Sequence, residues 1–287
     1  MTKSAKPELG PVQETLLLTL FARAQETARR RGLLCDRRSV EIVRSLDYDF
    51  VKWQGGFSLR AAMLRARMFD RYVEDFLDTH PGGTVVEIGC GLDDRFERVD
   101  NGRVRWFDLD LPDAICLRRR FFDDKLRRTM VAASVLDTAW MEAVEATGGP
   151  WMFVAEGVLI YLDAPDAQRA IVEIAQRFPG ARIAFDTTTA RVVETQDRHD
   201  AMRHLPQASW FRWKCNDPRE IESWDANLRL AASKTFLDAD RDLMDRLPLP
   251  VRLIARYAPL LLRQHASSYR LNLAKVAGGG VTEETTS

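Results

Sequence analysis

Hydrophobic residues recur at helical spacing in the first part of the chain. Between positions 58 and 78 the apolar residues lie three or four positions apart, which places them on one face of an α-helix. These residues are Leu59, Ala62, Ala66, Phe69, Val73 and Phe76. Positions 12–31 and 38–46 show the same period. The pattern therefore predicts three helices ahead of any strand.

After Pro81-Gly82-Gly83 the pattern changes to short apolar runs separated by helical stretches. The runs that we predict as strands are Thr84–Ile88, 104–107, 129–133, 152–155 and 182–185, with 228–232 and Tyr269–Val276 as further candidates. Alternating strands and helices are typical of a parallel sheet that is covered by helices on both faces. The sequence therefore predicts an α/β fold.

A turn with two glycines follows the first predicted strand. In Val86-Glu87-Ile88-Gly89-Cys90-Gly91 a buried strand runs into a turn where a ligand can approach the backbone closely. About twenty residues later, Asp108 and Asp110 flank the end of the second strand, where a carboxylate can accept hydrogen bonds from two ribose hydroxyls. Either acid could instead cap the helix that begins near Pro112. The pattern predicts a ligand that contains a nucleoside.

This turn lacks the third glycine of a dinucleotide-binding motif, because Asp94 stands in its place. The acids on both sides of the glycines would repel phosphates, whereas they suit a ligand that carries positive charge. S-adenosylmethionine, with an ammonium and a sulfonium group, is such a ligand. An NAD(P)-dependent oxidoreductase is therefore the less favoured alternative, and a simple strand-to-helix turn without a ligand is a second.

Charge and composition disfavour several kinds of partner and site. Lys plus Arg and Asp plus Glu number 42 each, so no overall field favours nucleic acid or an anionic membrane. We expect neither partner, so an enzyme that uses S-adenosylmethionine to methylate RNA is disfavoured.

The cysteines are widely spaced, so no metal site is expected. No apolar run is long enough for a signal peptide or a membrane span, which predicts a cytoplasmic protein. The run Arg118-Arg119-Arg120 is expected to form a solvated helix face.

Four segments of the chain carry a resemblance to a known family. They are RARMFD (65–70), EIGCGLDDR (87–95), DLP (110–112) and AEGVLIYL (155–162). In this order they resemble the motifs of the leucine carboxyl methyltransferase family, whose bacterial branch includes O-methyltransferases of polyketide biosynthesis. The resemblance implies a Rossmann-like class I methyltransferase with S-adenosylmethionine as methyl donor. It also implies a seven-stranded, mostly parallel sheet with strand order 3-2-1-4-5-7-6.

The resemblance further implies roles for individual residues. The cofactor carboxylate is assigned to Arg65, the ribose to Asp110, and the adenine to the segment after the third strand. Glu156 is expected to face the reacting end of the cofactor, as a cofactor-binding and catalytic residue. The full set of expected cofactor-binding residues is Arg65, Glu87, Gly89, Gly91, Asp110, Ser134, Val135 and Glu156. Simpler interpretations stay open: Arg65 could lie on a solvated helix face, Glu156 could cap a turn, and Asp137 could replace Ser134.

The segment that follows the fifth predicted strand has no strand pattern, and we predict it to be a lid that binds the acceptor. We expect a small-molecule acceptor, a natural-product carboxylate, because an ionised carboxylate needs no general base. Such an acceptor would be bound by Arg191, Arg198, Arg203 and Trp210. The alternative is a phenolic hydroxyl with His199 or His204 as its base. A catalytically silent binding module is a third hypothesis.

These expectations divide one methyltransferase domain into five parts. We predict a helical N-terminal cover (1–80), a cofactor-binding core (81–187), the lid insertion (188–218), the C-terminal part of the sheet (219–277) and a flexible tail (278–287).

Overall fold

The computed structural model describes residues 6–53, 57–198, 202–257 and 267–278. Within these residues seven strands form one sheet. They are β1 (Thr84–Ile88), β2 (Arg105–Asp110), β3 (Arg128–Ala132), β4 (Trp151–Ala155), β5 (Arg182–Thr188), β6 (Leu228–Lys234) and β7 (Tyr269–Val276). Their order is β3-β2-β1-β4-β5-β7-β6, with β7 antiparallel to both of its neighbours and the other pairs parallel. The predicted α/β fold and strand order are confirmed.

Two strands of the parallel part of the sheet extend further at their carboxyl ends than the sequence predicted. The run 104–107 became a strand that reaches Asp110, and the run 182–185 became one that reaches Thr188. Both extensions carry a buried carboxylate, Asp108 and Asp186 respectively. A buried acid is tolerated in a strand only when partners compensate its charge, and these partners are distant in the sequence.

Helices cover both faces of the sheet. They are α1 (Thr15–Thr27), α2 (Arg37–Ser45), α3 (Phe57–Thr79), α4 (Arg95–Val99), α5 (Pro112–Arg118), α6 (Ala139–Glu145), α7 (Ala164–Arg177), α8 (Ala190–Glu194), α9 (Arg241–Arg246) and α10 (Leu249–Tyr257). The first three are the helices that the apolar period predicted. α1 ends earlier than expected, because the chain turns back and the Asp36 backbone N–H donates to the Thr27 hydroxyl at 2.8 Å. Among the described helices, none is long and apolar enough to cross a membrane.

The core lies on both sides of the sheet. On one side, side chains of α1 and α3 such as Leu17, Phe69 and Val73 pack together, and on the other side Trp140 and Ile171 pack against the sheet from α6 and α7. Every residue of β1 is buried, as expected for a central parallel strand. The carboxyl ends of β1 to β5 therefore meet at one edge, and the antiparallel pairing of Thr188 with Tyr269 brings the start of β7 to the same edge.

The segment after β5 is irregular, as predicted. Its described part consists of α8 and short 3-10 turns at Gln196–Arg198, Met202–His204 and Gln207–Ser209. Backbone hydrogen bonds attach it to the sheet edge, from Arg212 N to Ile160 O and from Cys215 N to Thr188 O, both 2.8 Å. The segment therefore lies over the ends of the central strands.

Candidate active site

A cavity of about 650 Å³ opens at the carboxyl ends of the central strands. This volume lies within the usual range for small-molecule sites, roughly 300–1,000 Å³. All eight residues expected to bind a cofactor line it: Arg65, Glu87, Gly89, Gly91, Asp110, Ser134, Val135 and Glu156. The alternative adenine contact, Asp137, is exposed and is not among the lining residues. Segments from four strand ends thus meet in one place.

The glycine turn after β1 forms the floor of the cavity. Gly89 and Gly91 have φ angles of +66° and +49°, which L side chains rarely adopt. A Cβ atom on Gly89 would also lie only 2.3 Å from Cγ2 of Val158. Glycine is therefore required at position 89, both by the backbone conformation and by the neighbouring turn after β4.

Asp110 ends β2 beside this turn and lies half-buried at the cavity wall. Its Oδ2 accepts a hydrogen bond from Gly91 N, and its Oδ1 accepts one from Leu111 N, both at 2.7 Å. Burial raises the pKa of Asp110, although these two backbone groups oppose the rise. Each carboxylate oxygen has a second lone pair, so the fixed carboxylate can accept from a pair of hydroxyls.

Asp108, the other candidate for the ribose, has a structural role. It is fully buried and accepts from Arg128 Nε at 2.6 Å and from Trp106 Nε1 at 3.0 Å. Arg118 Nη2 lies 3.1 Å from the same carboxylate, and Arg118 Nη1 donates to the Gly91 carbonyl at 2.8 Å. The prediction of a solvated arginine run is therefore wrong for Arg118, which is fully buried, because Asp108 compensates its charge inside the fold.

Opposite charges alternate at the inner end of the cavity. Glu156 accepts from Arg65 Nε at 2.8 Å and is also bonded to Arg95, which is almost fully buried. Arg95 donates in turn to Glu87 Oε1 at 2.9 Å. Burial raises the pKa of Glu87 against the opposing effect of Arg95, and its Oε2 has no hydrogen-bond partner among the described residues. Cationic and anionic groups thus lie side by side, as a zwitterionic ligand requires.

The N-terminal helix contributes cavity residues that the sequence did not reveal. Leu16 of α1 lies over the glycine turn, since a Cβ on Gly91 would be 3.1 Å from Leu16 Cβ. Arg23 of the same helix also lines the cavity and pairs with Asp36 at 3.1 Å and with Asp93 at 3.5 Å. The sequence could have indicated this role, because Arg23 stands on the apolar stripe of α1 and an arginine there needs buried partners.

Two further residues next to Arg65 were missed. Tyr269, the first residue of β7, accepts a hydrogen bond from Arg65 Nη1 at 2.7 Å and donates one to Asp186. Burial raises the pKa of Asp186 to about 6. Asp186 follows the apolar run 183–185. An acid directly after a buried apolar run indicates a site residue, as it did for Asp110, so the sequence could have pointed to Asp186.

The predicted acceptor residues do not meet at the cavity. Arg191, Arg198 and Arg203 are exposed, and Trp210 is half-buried with its Nε1 donating to the Met202 carbonyl at 3.3 Å. None of these four is among the lining residues, so the structure does not support an acceptor site built from them. The insertion instead presents apolar residues to the cavity, namely Val192, Met202, Leu205 and Phe211.

The two histidines of the alternative mechanism have a different outcome. His199 lies outside the described residues. His204 ends the 3-10 turn Met202–His204, and its side chain is not described. Their role as a base stays a prediction.

The donor set fits S-adenosylmethionine. Arg65 can pair with its carboxylate, and the carboxyl oxygens of Glu87 and Glu156 can face its positive groups. Asp110 can accept from two hydroxyls, and the turn places the backbone of Gly89 and Gly91 at the cavity. The sheet order and this arrangement define a class I methyltransferase.

Comparison with known proteins identifies the family. The model of the leucine carboxyl methyltransferase family matches residues 17–175. The tetracenomycin polyketide synthesis O-methyltransferase TcmP of Streptomyces glaucescens is 32% identical over 233 residues, which is 80% of this chain and 85% of TcmP. The chain therefore belongs to the leucine carboxyl methyltransferase family. It is an S-adenosylmethionine-dependent methyltransferase, as the sequence predicted.

Two more distant proteins are also similar to this chain. The S-adenosyl-L-methionine-dependent methyltransferase dpfgK of Gibberella zeae is 28% identical over 241 residues, 76% of this chain and 80% of dpfgK. A solved DUF574 family protein from Streptomyces avermitilis superposes with a TM-score of 0.56 at 13% identity, over 92% of this chain and 97% of that protein. The second comparison shows a shared fold.

Proposed function

We propose that the enzyme methylates an oxygen atom of a small natural product, with a carboxylate as the acceptor group. One observation carries the proposal: the expected cofactor residues and a continuous apolar wall line the same cavity. The Streptomyces relative is named for O-methylation in tetracenomycin polyketide synthesis, and this supports an oxygen acceptor on a small molecule here.

In this proposal the chain's own residues bind and orient the cofactor. Asp110 holds the ribose hydroxyls, Arg65 holds the carboxylate, and Ser134 and Val135 contact the adenine. Glu156, held between Arg65 and Arg95, carries the negative charge near the positive end of the ligand. When bound, S-adenosylmethionine supplies a methyl group on a positively charged sulfur, so the protein contributes chiefly alignment and exclusion of water.

The acceptor would bind against the apolar wall. The apolar residues that form it are Leu18, Ala62, Val158, Leu162, Val192, Met202, Leu205, Phe211 and Phe236. Such a wall favours a hydrophobic acceptor, and it excludes water that would otherwise compete for the methyl group. Phe211 and Tyr161, whose ring centroids are 5.2 Å apart, add an aromatic surface to the wall.

A carboxylate acceptor agrees with the polar groups of the cavity. The arginines that line its described part, Arg23 and Arg65, are already paired with carboxylates, and no histidine lines that part. Burial raises the pKa of both Tyr161 and Tyr269. Both phenols therefore keep their protons at neutral pH, and neither can act as a general base for an acceptor hydroxyl. An acceptor with a pKa near about 4 is ionised without help, and no arginine other than the paired Arg23 and Arg65 lines the cavity among the described residues.

The test is transfer of a labelled methyl group from S-adenosylmethionine by the purified enzyme into fractionated extracts of its producing organism. We expect a small-molecule product whose label is released by mild alkali, as from an ester. The single-turnover rate should stay flat between about pH 6 and 8, because an ionised carboxylate has no proton to lose there. Asp110→Ala serves as the low-activity control.

An alkali-stable ether as the product would contradict the carboxylate assignment. A rate that rises through the histidine range and collapses in His199→Ala or His204→Ala would establish hydroxyl methylation with a histidine base instead. Absence of any labelled small molecule, with label in protein, would overturn the small-molecule proposal.

A further inference from the structure

Arg65 of α3 is held from two sides at the cavity wall. Its Nε donates to Glu156 Oε1 at 2.8 Å, and its Nη1 donates to the Tyr269 hydroxyl at 2.7 Å. Glu156 follows β4, whereas Tyr269 begins β7. The two partners therefore approach the guanidinium from separate strands and fix the plane in which it lies.

Asp186 of β5 supports both of these partners. Its carboxylate accepts from the Tyr269 hydroxyl and from the backbone N–H of Gly157, the latter at 2.8 Å to Oδ2 and 3.0 Å to Oδ1. Gly157 immediately follows Glu156, so the same carboxylate orients the tyrosine and the turn that carries the glutamate. Asp186 itself is fully buried and is not among the cavity-lining residues.

The guanidinium lies directly against the turn after β4. Gly157 has a φ angle of +64°, and a Cβ atom at this position would lie 3.0 Å from Arg65 Nη2. The space available to Arg65 therefore depends on the conformation of Gly157, which Asp186 holds. Nε and Nη1 are occupied by protein groups, which leaves the Nη2 side of the guanidinium for a ligand.

From this geometry we propose that Asp186 and Tyr269 are positioning residues that fix the Arg65 guanidinium for the cofactor carboxylate. The proposal rests on the proposed role of Arg65 as the ligand of that carboxylate. An arginine that is already oriented loses less conformational freedom on binding than a mobile one. Asp186 acts without touching the cofactor. It acts through the tyrosine hydroxyl, through the Gly157 turn, and through its own Oδ2, which lies 3.7 Å from Arg65 Nη1.

The experiment compares two ligands that differ in one group, S-adenosylmethionine and its decarboxylated form, by calorimetry on the full chain. Tyr269→Phe removes the hydroxyl and should weaken S-adenosylmethionine binding about three- to tenfold. It should leave the affinity for the decarboxylated form unchanged, since that ligand offers Arg65 no carboxylate. In kinetics, KM for the cofactor should rise while kcat stays within about twofold.

Variants of Asp186 test its part separately. Asp186→Asn keeps an oxygen that can accept from Tyr269 and Gly157 but loses the carboxylate charge, which lies 3.7 Å from Arg65 Nη1, so it should weaken S-adenosylmethionine binding less than the alanine variant does. Asp186→Ala removes the acceptor and should weaken S-adenosylmethionine selectively. Tyr72→Phe is the matched control, because it removes another buried tyrosine hydroxyl. That hydroxyl donates to the Leu271 carbonyl at 3.1 Å, and Tyr72 does not line the cavity.

Two results would overturn the positioning role. One is equal weakening of both ligands in Tyr269→Phe, since a general structural defect makes no distinction between them. The other is an unchanged S-adenosylmethionine affinity in Tyr269→Phe while Arg65→Ala loses it selectively, which would leave the role of Arg65 intact. If Arg65→Ala itself binds both ligands as the wild type does, the assignment of Arg65 fails, and the positioning role fails with it.

Discussion

The Asp110 carboxylate accepts a 2.7 Å hydrogen bond from the backbone N–H of Gly91, which joins the end of β2 to the turn that follows β1. The residue expected to hold the ribose and the glycine turn expected to bind the cofactor are therefore one unit. The buried Arg118 stabilises this unit, because it contacts both Asp108 and the Gly91 carbonyl. Changes to the two aspartates of β2 should accordingly have different consequences.

Replacing Asp110 should mainly affect the cofactor. A carboxylate that accepts hydrogen bonds from hydroxyls contributes roughly 1.5–3 kcal/mol, so Asp110→Ala should bind S-adenosylhomocysteine about ten- to a hundredfold more weakly. Titration calorimetry measures this, with the exposed Asp123→Ala as the control. An unchanged affinity in Asp110→Ala would remove this residue from the ribose site.

Replacing Asp108 should mainly affect folding. Asp108→Ala leaves the buried guanidinium groups of Arg118 and Arg128 without their shared carboxylate. Removal of one partner from a buried ion pair typically lowers the free energy of unfolding by roughly 3–5 kcal/mol. Urea denaturation at neutral pH checks this value, and a loss below about 1 kcal/mol would show that the two arginines find other partners. The milder Asp108→Asn keeps the size of the side chain if the alanine variant does not fold.

Replacing Gly89 should cost stability for two separable reasons. Gly89→Ala introduces a methyl group 2.3 Å from Val158 Cγ2 and places it on a backbone with φ of +66°. The steric part should disappear in the double variant Gly89→Ala with Val158→Ala, whereas the backbone strain of roughly 1–2 kcal/mol should persist. Thermal unfolding of the single and double variants gives both terms. Full recovery in the double variant would show that the turn tolerates the strain.

Asp186 should make stability depend on pH in an unusual direction. Burial raises its pKa from 3.8 to about 6 in the folded protein, so the folded state binds this proton more tightly than the unfolded state does. Its contribution is therefore fully present below about pH 4 and is lost as the pH rises through about 6. Asp186→Asn does not titrate, so its unfolding free energy relative to wild type should increase over this window by up to roughly 3 kcal/mol.

This last comparison is informative because only the difference between the two proteins is used. Glu156 and Arg65 are charged neighbours of Asp186, and they are common to both proteins. Denaturation at several pH values from 4 to 8 supplies the data. Parallel curves for the two proteins would show that Asp186 keeps an ordinary pKa.

The cofactor side of the site was predictable because its residues follow local rules. Gly89, Gly91 and Asp110 lie at fixed distances from the ends of buried strands, and strands of this kind are visible as apolar runs. The limits of β1 and β7 were predicted correctly for the same reason. Asp186 obeys the same rule as Asp110, but its buried carboxylate depends on Arg65 and Tyr269 as partners, and these are distant in the sequence.

The acceptor side was not predictable, because no periodicity governs it. The insertion folds into 3-10 turns too short for an amphipathic pattern, so the sequence could not show which side chains face inward. Its arginines suggested an anion site, yet Arg191, Arg198 and Arg203 are exposed and Phe211 lines the cavity. Leu18 and Phe236 join the same wall from distant parts of the chain, and only tertiary packing brings them together.

The position of β7 between β5 and β6 also constrains the order of assembly. Arg65 and Tyr269 are 204 positions apart, so their contact forms only after nearly all of the sheet has been synthesised. Until β7 inserts, β5 and β6 each present an unpaired edge, which is a condition that favours aggregation. Because Arg65 lacks one of its two partners during this interval, the cofactor can stabilise the finished protein but gives little protection to the growing chain.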